Sequence, residues 1–187
     1  MPEQNLKMYD DFYEVINGEE IMMSPARPIH NSIAINLIRI ISGYLKGKKC
    51  RLFYDAFVRL GESTFIPDLM IVCDRQKIKT GHIEGAPDFV VEILSAGTQK
   101  RDLGIKKDIY EKFGVKEYWI INPWDKSIMV YRLKDAKFEL DNVYRDYDDW
   151  ELESMDERDR AATKLTLKIS LYDDLEISVK DVFDDLV

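Results

Sequence analysis

The sequence predicts an α/β (α+β) fold in which a mixed central β-sheet is flanked by helices and preceded by an N-terminal β-hairpin. Two short alternating runs surround Asn17-Gly18, the strongest short hairpin signal. A helical repeat of apolar residues follows, and then three strand-like runs. A second helix and further strands complete the chain. This order is typical of helices packed on a mixed sheet.

The elements are predicted in chain order from local patterns. The hairpin is the run "FYEVINGEEIMMS", and a helix over 31–46 has its stop signal at Gly47. The next runs each predict one strand: "CRLFYDAFVRLG", "FIPDLMIVCD" and "PDFVVEILS". A helix within "TQKRDLGIKKDIYEKFG" ends near Gly114, a strand and a turn follow, and "LEISVKDVF" forms a short terminal element at the core edge.

Length and composition limit the class of protein. A chain of 187 residues suits one domain spanning 1–187, and 45% hydrophobic with 33% charged residues is ordinary for a globular protein. No apolar run approaches the ~20 residues that a membrane span needs. The polar N-terminus lacks signal-peptide character, so we expect a cytoplasmic protein without membrane contact. We expect Cys50 and Cys73 to be thiols near strands, because their spacing fits neither a metal site nor a disulfide framework.

Charge is distributed unevenly. The net charge of −8 argues against a general nucleic-acid coat protein. Residues 135–187 carry −10, whereas residues 1–134 carry +2. An anionic ligand is therefore expected to meet the first 134 residues.

Two acids interrupt buried strands. Side chains alternate between the faces of a strand, so Glu92 shares a face with Asp88 and Leu94, and Asp68 shares a face with Met70. If the two strands are neighbours, Asp68 and Glu92 converge on one face. Asp88 competes for this role, although an acid in the turn before the strand is the favoured interpretation.

The second helix adds a lysine. At ~100° per residue, one broad apolar face of the helix 102–113 carries Lys106 near its middle, with Asp102 also pointing inward. The apolar members of that face are Leu103, Ile105, Ile109, Tyr110 and Phe113. A lysine in the core needs acidic company, and Glu92 and Asp68 are the candidates.

Two carboxylates and a lysine at one place suggest a metal-binding site. Clustered carboxylates repel each other unless a cation neutralises them, and Mg²⁺ or Mn²⁺ suits an all-oxygen site. Such an ion polarises phosphoryl oxygens and acidifies bound water, while the lysine positions that water or stabilises developing charge. The pattern indicates phosphodiester hydrolysis.

The segments "IPDLMIV", "GAPDFVVEILS" and "RDLGIKKDIYEKFGVKEYWIINP" resemble the bacterial putative restriction endonuclease family of the PD-(D/E)XK nuclease superfamily. The resemblance extends from "YEVINGEEIMMSP" to "LEISVKDVF" and implies a restriction-endonuclease-like core and a Mg²⁺-dependent nuclease site. It assigns Asp68 and Glu92 as the two acids. The superfamily pattern has lysine where this chain has Leu94, so the resemblance is to variants whose lysine has moved to the next helix, here Lys106.

On this reading Asp68, Glu92 and the main-chain carbonyl of Ile93 hold the metal, and Lys106 orients or activates the attacking water. The superfamily often adds a glutamate from the first helix, but residues 31–46 contain no Glu or Asp. His30 matches the family's "HN" pair and is a candidate neighbour of the site. Asp102 and Ser95 are further candidates, each with a local alternative: Asp102 as a first-turn helix acid and Ser95 as a cap of the loop.

Several functions stay open. The leading hypothesis is a metal-dependent DNA endonuclease that acts as a homodimer, since cleavage of duplex DNA usually pairs two sites. The first alternative is a nuclease-fold binding or regulatory module with weak or no catalysis, which the acidic balance favours. The second is a metal-dependent hydrolase of RNA or of a small phosphodiester. The aromatic run "EYWIINPW" is interpreted as core or dimer interface rather than a base-stacking platform.

Overall fold

The computed structural model describes residues 13–186, and within them the N-terminal hairpin has the predicted geometry. Strands β1 (Tyr13–Ile16) and β2 (Glu19–Met22) pair antiparallel. Asn17 and Gly18 between them both have positive φ, 51° and 85°. Two successive left-handed residues define the two-residue turn that Asn-Gly favours. Phe12 of the predicted run lies outside the described residues.

Helix α1 (Pro28–Leu45) begins three residues before the prediction. Proline at its first position explains this start, because the missing N–H has no partner in a first turn and the fixed φ suits the helix. Ile33, Leu37 and Ile41 are completely buried on its inner face. Within residues 13–186, no helix is both long and apolar enough to cross a bilayer.

The strands form two main sheets. After α1 they are β3 (Arg51–Tyr54), β4 (Val58–Leu60), β5 (Ser63–Phe65), β6 (Leu69–Val72), β7 (Ile83–Glu84), β8 (Phe89–Ile93), β9 (Glu117–Asn122), β10 (Ser127–Lys134) and β11 (Lys137–Arg145). The central six-stranded sheet has the order β11-β10-β9-β8-β6-β3, with β8 and β9 parallel and the other neighbours antiparallel. The smaller sheet has the order β2-β1-β5-β4-β7. The predicted mixed sheet with flanking helices is confirmed.

The prediction of one strand across "CRLFYDAFVRLG" is wrong. The chain bends at Asp55, whose φ is 50°, and the two halves join different sheets. Aspartate tolerates this left-handed conformation better than most residues. β3 is therefore an edge strand of the central sheet, while β4 belongs to the smaller sheet.

The second helix is continuous but not uniform. It consists of α2 (Gln99–Arg101), a π-helical turn (Asp102–Lys106) and α3 (Lys107–Phe113), and it ends at Gly114 with φ 85°. Three members of the predicted apolar face are exposed: Leu103 and Ile105 at 37%, and Phe113 at 39%. A π turn takes more residues than an α turn, so a 100° phase does not hold across it.

Two hydrophobic cores cover the two faces of the central sheet. On one face lie α1 and the C-terminal elements β12 (Thr166–Lys168), β13 (Glu176–Ser178) and α6 (Val179–Val182). The other face packs against α3 and the smaller sheet. Two short helices, at Asp149–Ser154 and Glu157–Ala162, connect β11 to β12. Glu92, Met70 and Val90 belong to the face that carries α3.

The two cysteines form a disulfide, contrary to the expectation of free thiols. Cys50 and Cys73 flank the Arg51–Val72 pair of β3 and β6, so the sheet register brings them opposite each other. They are 23 residues apart in sequence and carry no recognisable local motif. Their pairing follows from tertiary structure alone.

Candidate active site

Asp68 and Glu92 face each other across two neighbouring strands. β6 and β8 pair with Leu69 opposite Val91, and one step further along this register Asp68 stands opposite Glu92. Directly opposed residues of an antiparallel pair point to the same face. The Ile93 N–H donates a hydrogen bond to Asp68 Oδ2 at 2.6 Å. In an extended strand the N–H and C=O of one residue point the same way, so the Ile93 carbonyl also faces the Asp68 strand.

Lys106 lies at the centre of an acid–lysine cluster formed with Glu14, Glu92 and Asp102. Its Nζ is 2.8 Å from Glu14 Oε1, 3.0 Å from Glu92 Oε1 and 3.4 Å from Asp102 Oδ1. All four side chains are at least 95% buried. Asp102 and Lys106 are the first and last residues of the π turn, and both point inward. Single π turns are frequent at functional sites.

Glu14 was missed by the sequence reasoning. It projects from β1 and accepts hydrogen bonds from the Ile66 N–H at 3.1 Å and from Lys106. The alternation of β1 carried a signal, since Glu14 shares a face with buried Ile16. An acid on the apolar face of a hairpin strand is the same anomaly that singled out Glu92.

Tyr110 was expected only as a core residue. Its hydroxyl donates to Glu92 Oε1 at 2.8 Å, the oxygen that Lys106 also contacts. The other oxygen, Glu92 Oε2, accepts no hydrogen bond from residues 13–186. Tyr118 donates to the Asp102 carbonyl at 3.0 Å. Tyr110 and Tyr118 thus hold Glu92 and Asp102 in place, and one carboxylate oxygen of Glu92 stays available.

The pKa values in the cluster are displaced by burial and crowding. Burial raises the pKa of Glu92 well above its usual value; Lys106 opposes this, and the Asp102, Asp68 and Glu14 carboxylates add to it. The pKa of Asp102 is also raised, first by burial. Burial alone would lower the pKa of Lys106, but Glu92, Glu14 and Asp102 together raise it. The lysine is therefore charged at neutral pH, and the acids outnumber it.

His30 is in contact with Asp68. Its Nε2 lies 3.1 Å from Asp68 Oδ1, so both oxygens of Asp68 are engaged. Its buried Nδ1 has no hydrogen-bond partner among the described residues. Burial lowers the pKa of His30, but Asp68, Asn31 and Asp102 together raise it overall. His30 thus stands where the sequence placed a candidate neighbour of the site.

The other sequence candidates have local partners. Ser95 and Thr98 exchange hydrogen bonds with each other in the loop after β8, with hydroxyl oxygens 3.1 Å apart. Asp88, at the opposite end of β8, binds the Cys73 N–H and Lys116 and lies outside the cluster. Ser95 makes no hydrogen bond to the clustered acids within residues 13–186.

The donor set fits a hard divalent cation. Within residues 13–186, no three His, Cys, Asp or Glu side chains are placed to hold one ion together. Asp68, Glu92 Oε2 and the Ile93 carbonyl nevertheless offer an all-oxygen set, and Mg²⁺ usually binds one or two carboxylates plus water and phosphate oxygens. Asp102 Oδ1 is buried without a hydrogen bond, and its nearest described cation is Lys106 Nζ at 3.4 Å. The acid–lysine cluster contains three acidic side chains and one lysine.

The sequence matches a known protein family over most of its length. The profile of the family described as putative restriction endonuclease (Uma2) matches residues 2–163. The uncharacterized protein slr1290 of Synechocystis sp. is 24% identical over 147 residues, covering 76% of this chain and 77% of the relative.

The fold has a counterpart among solved structures. The crystal structure of a putative nuclease belonging to DUF820 from Anabaena variabilis superimposes with a TM-score of 0.71 at 23% identity. The alignment covers 94% of this chain and 91% of the other. The restriction-endonuclease-like core expected from the sequence is confirmed at the level of fold. With most of its length matched by the family profile, this chain belongs to the putative restriction endonuclease family of nucleases.

Proposed function

We propose that this protein is a Mg²⁺- or Mn²⁺-dependent endonuclease that hydrolyses phosphodiester bonds of DNA. The observation that carries the proposal is the direct opposition of Asp68 and Glu92 across β6 and β8, with Lys106 bonded to Glu92. Family membership supports nuclease chemistry. Metal dependence and the residue roles are our inference from the donor set, and the DNA substrate is our inference from the family likeness.

The roles of the residues follow from their contacts. Asp68, Glu92 and the Ile93 carbonyl would hold the divalent cation, which would polarise a phosphoryl oxygen and lower the pKa of a bound water. Tyr110 and Lys106 fix Glu92 Oε1 and so orient Oε2. His30 and the Ile93 N–H fix Asp68.

Lys106 carries the positive charge of the site. Glu14 and Asp102 hold its ammonium next to Glu92, within reach of a water bound there. A fixed ammonium in a buried site orients such a water and stabilises negative charge that develops on the phosphate. Glu14 and Asp102 are positioning residues in this scheme.

Nicking of supercoiled plasmid by wild type and by the Glu92→Gln variant tests the proposal, with Mg²⁺ or Mn²⁺ binding followed by calorimetry. Wild type should bind metal and nick, and the variant should lose both, with a rate at least about 100-fold lower. Asp88→Asn is the matched control, because it also removes a buried acid yet lies at the other end of β8 from Glu92. It should nick at the wild-type rate.

A wild-type protein that binds no metal and cleaves no plasmid would overturn the proposal. The alternative of a binding or regulatory module is favoured by one observation, the net charge of −8, and would then take its place. Cleavage of a labelled RNA in preference to plasmid would instead identify an RNA hydrolase.

We expect the active form on duplex DNA to be a homodimer, because two strands require two sites. Light scattering on the protein with and without duplex DNA measures this. A monomeric mass under conditions that give double-strand breaks would contradict it.

A further inference from the structure

A cleft of about 380 Å³ lies beside the acids and plays no part in the chemistry described so far. One wall is the segment 53–57 and the other is the loop 78–83. The Ile83 N–H donates to the Phe57 carbonyl at 2.7 Å, and the loop is closed by Lys79 N–H to the His82 carbonyl at 2.9 Å. Both walls are therefore held by main-chain hydrogen bonds. The volume is in the range of ligand sites, ~300–1,000 Å³.

The lining combines apolar walls with polar groups at the mouth. Phe53, Phe57, Ile78 and Ile83 form the apolar part. Asp55 and Thr80 contribute a carboxylate and a hydroxyl. Two nearby side chains already have partners: Lys79 Nζ donates to the Gln76 carbonyl at 2.7 Å, and His82 Nε2 is 2.9 Å from Glu84 Oε2. Apolar walls with a few convergent polar groups are typical of a site for a flat, partly polar molecule.

The cleft adjoins the candidate active site through the sheet register. Tyr54 is opposite Leu69, so Asp55 and Asp68 each lie one residue beyond the last pair of β3 and β6. The Cα atoms of the last opposed pair, Tyr54 and Leu69, are about 5 Å apart. Tyr54 itself is 48% exposed at this edge. A strand whose phosphate reaches Asp68 and Glu92 would therefore pass the mouth of the cleft.

We infer that this cleft takes one unpaired nucleobase of the substrate strand, next to the bond that is cut. A base in duplex DNA is stacked and turned away from such a cleft, so the substrate is a single strand or a strand with a flipped base. Phe53 and Phe57 offer apolar contact to the base, Tyr54 offers a stacking face outside, and Asp55 accepts from an exocyclic amino group. This inference rests on the proposed nuclease function for the identity of the strand.

The test is binding of oligomers of about 12 abasic residues that carry at most one base, at the centre, a typical length for one single-strand site, in EDTA so that no cleavage occurs. The central residue is cytosine, adenine, guanine, thymine or an abasic site. Wild type should bind the oligonucleotides with a central base at least about fivefold more tightly than the abasic one, the lower limit for one stacked base. The three bases with amino groups should bind more tightly than thymine.

Variants separate the two contributions. Asp55→Ala, at an exposed position, should erase the preference for amino-bearing bases and keep the difference from the abasic site. Phe57→Ala should reduce that difference as well. Phe113→Ala is the control, because it removes a partly exposed ring at the C-terminal end of the second helix. It should change neither the preference for amino-bearing bases nor the difference from the abasic site.

Equal affinity of wild type for all five oligonucleotides overturns the inference, whatever the plasmid assay shows. Base-dependent binding that Asp55→Ala and Phe57→Ala leave unchanged also overturns it, because the base would then be bound elsewhere. Base-dependent binding that these variants reduce, in a protein that fails to nick, would support the cleft and refute the nuclease proposal. The two failures are thus distinguishable.

Discussion

Lys106 is the residue on which the candidate site depends most. Its ammonium is buried among three carboxylates, and every contact it makes is with an acid or an aromatic ring. Desolvation of a lysine is costly unless the geometry of its partners is good. Here it is good, and the acids in turn rely on this lysine for their only positive neighbour in the cluster described above.

Replacing Lys106 by methionine should therefore lower the free energy of unfolding by about 3–5 kcal/mol, the cost of leaving buried charge without a partner. Urea unfolding at pH 7 measures it. Lys107→Met is the control: its side chain is partly exposed over Tyr131, and its loss should cost less than about 1 kcal/mol. Equal losses for the two variants would show that the acid–lysine cluster contributes little to stability.

Asp88 provides a pH-dependent contribution away from the cluster. Burial alone would raise its pKa, but hydrogen bonds from Lys116 at 2.7 Å and the Cys73 N–H at 2.8 Å lower it below 3.8. A carboxylate with a lowered folded-state pKa stabilises the protein above its unfolded pKa, and this contribution is lost as pH falls through the folded value.

Asp88→Asn should consequently cost about 1–3 kcal/mol at pH 7, the range for a hydrogen-bonded charged group. The difference from wild type should shrink as the pH falls below about 4. Urea unfolding curves at the two pH values measure the change. A difference that stays constant with pH would mean that the carboxylate charge does not matter.

At the scale of elements, the π turn determines which side chains of the second helix point inward. It buries Asp102 and Lys106 together and turns Leu103 and Ile105 outward. Gly104 lies within it, and a Cβ added there would meet no atom within 4 Å.

Gly104→Ala should thus stabilise the protein by up to about 1 kcal/mol, because alanine has the higher helix propensity. Thermal unfolding measures it, with nicking expected to be unchanged. Gly61→Ala is the opposite case: its Cβ would lie 2.8 Å from Phe113 Cζ, and its φ is 62°. That variant should lose at least about 1 kcal/mol. Destabilisation by Gly104→Ala would show that the π turn needs glycine.

The elements also show where sequence reasoning succeeded and why it failed elsewhere. The hairpin at Asn17-Gly18 and the opposed acids Asp68 and Glu92 were predictable, because turn chemistry and strand alternation are local. The exposure of Ile105 was not predictable, because a π turn has no signal in the composition and changes the angular positions of the side chains around the helix axis. Glu14 reaches the cluster only through the packing of one sheet on another. The bend at Asp55 likewise depends on strands distant in sequence.

At the scale of the whole molecule, the disulfide ties the outer strand of the central sheet to its interior. The bond between Cys50 and Cys73 closes a loop of 23 residues that includes Asp68. Replacing both cysteines by alanine should lower the free energy of unfolding by about 2–4 kcal/mol, as cross-links of this loop length do. Denaturation of wild type with and without a reducing agent measures the same quantity. If the reductant has no effect, the thiols are free in solution.

Overall charge should limit the electrostatic part of the proposed DNA binding. The net charge is −8, and the basic run Lys46, Lys48, Lys49 and Arg51 begins at the far end of α1 from His30, about 24 Å along the helix. We expect fewer than about three phosphate contacts and a slope of log K against log salt shallower than about −3.

Binding of a single-stranded oligonucleotide in EDTA across a salt series gives this slope. The double variant Lys46→Ala/Lys49→Ala should leave it unchanged. A slope near −6, or one that this variant reduces, would show that an extended basic surface binds the strand.

The burial of Lys106 has a consequence for covalent labelling. Its side chain is 2% exposed, whereas lysines such as Lys116 and Lys137 are 62% and 77% exposed. An amine-acylating reagent should modify the exposed lysines within the shortest labelling time. It should reach Lys106 only when the hairpin that carries Glu14 separates from the helix. The acylation rate of Lys106, measured by mass spectrometry, therefore reports how often the site opens. A ligand that holds the acids together should lower this rate further.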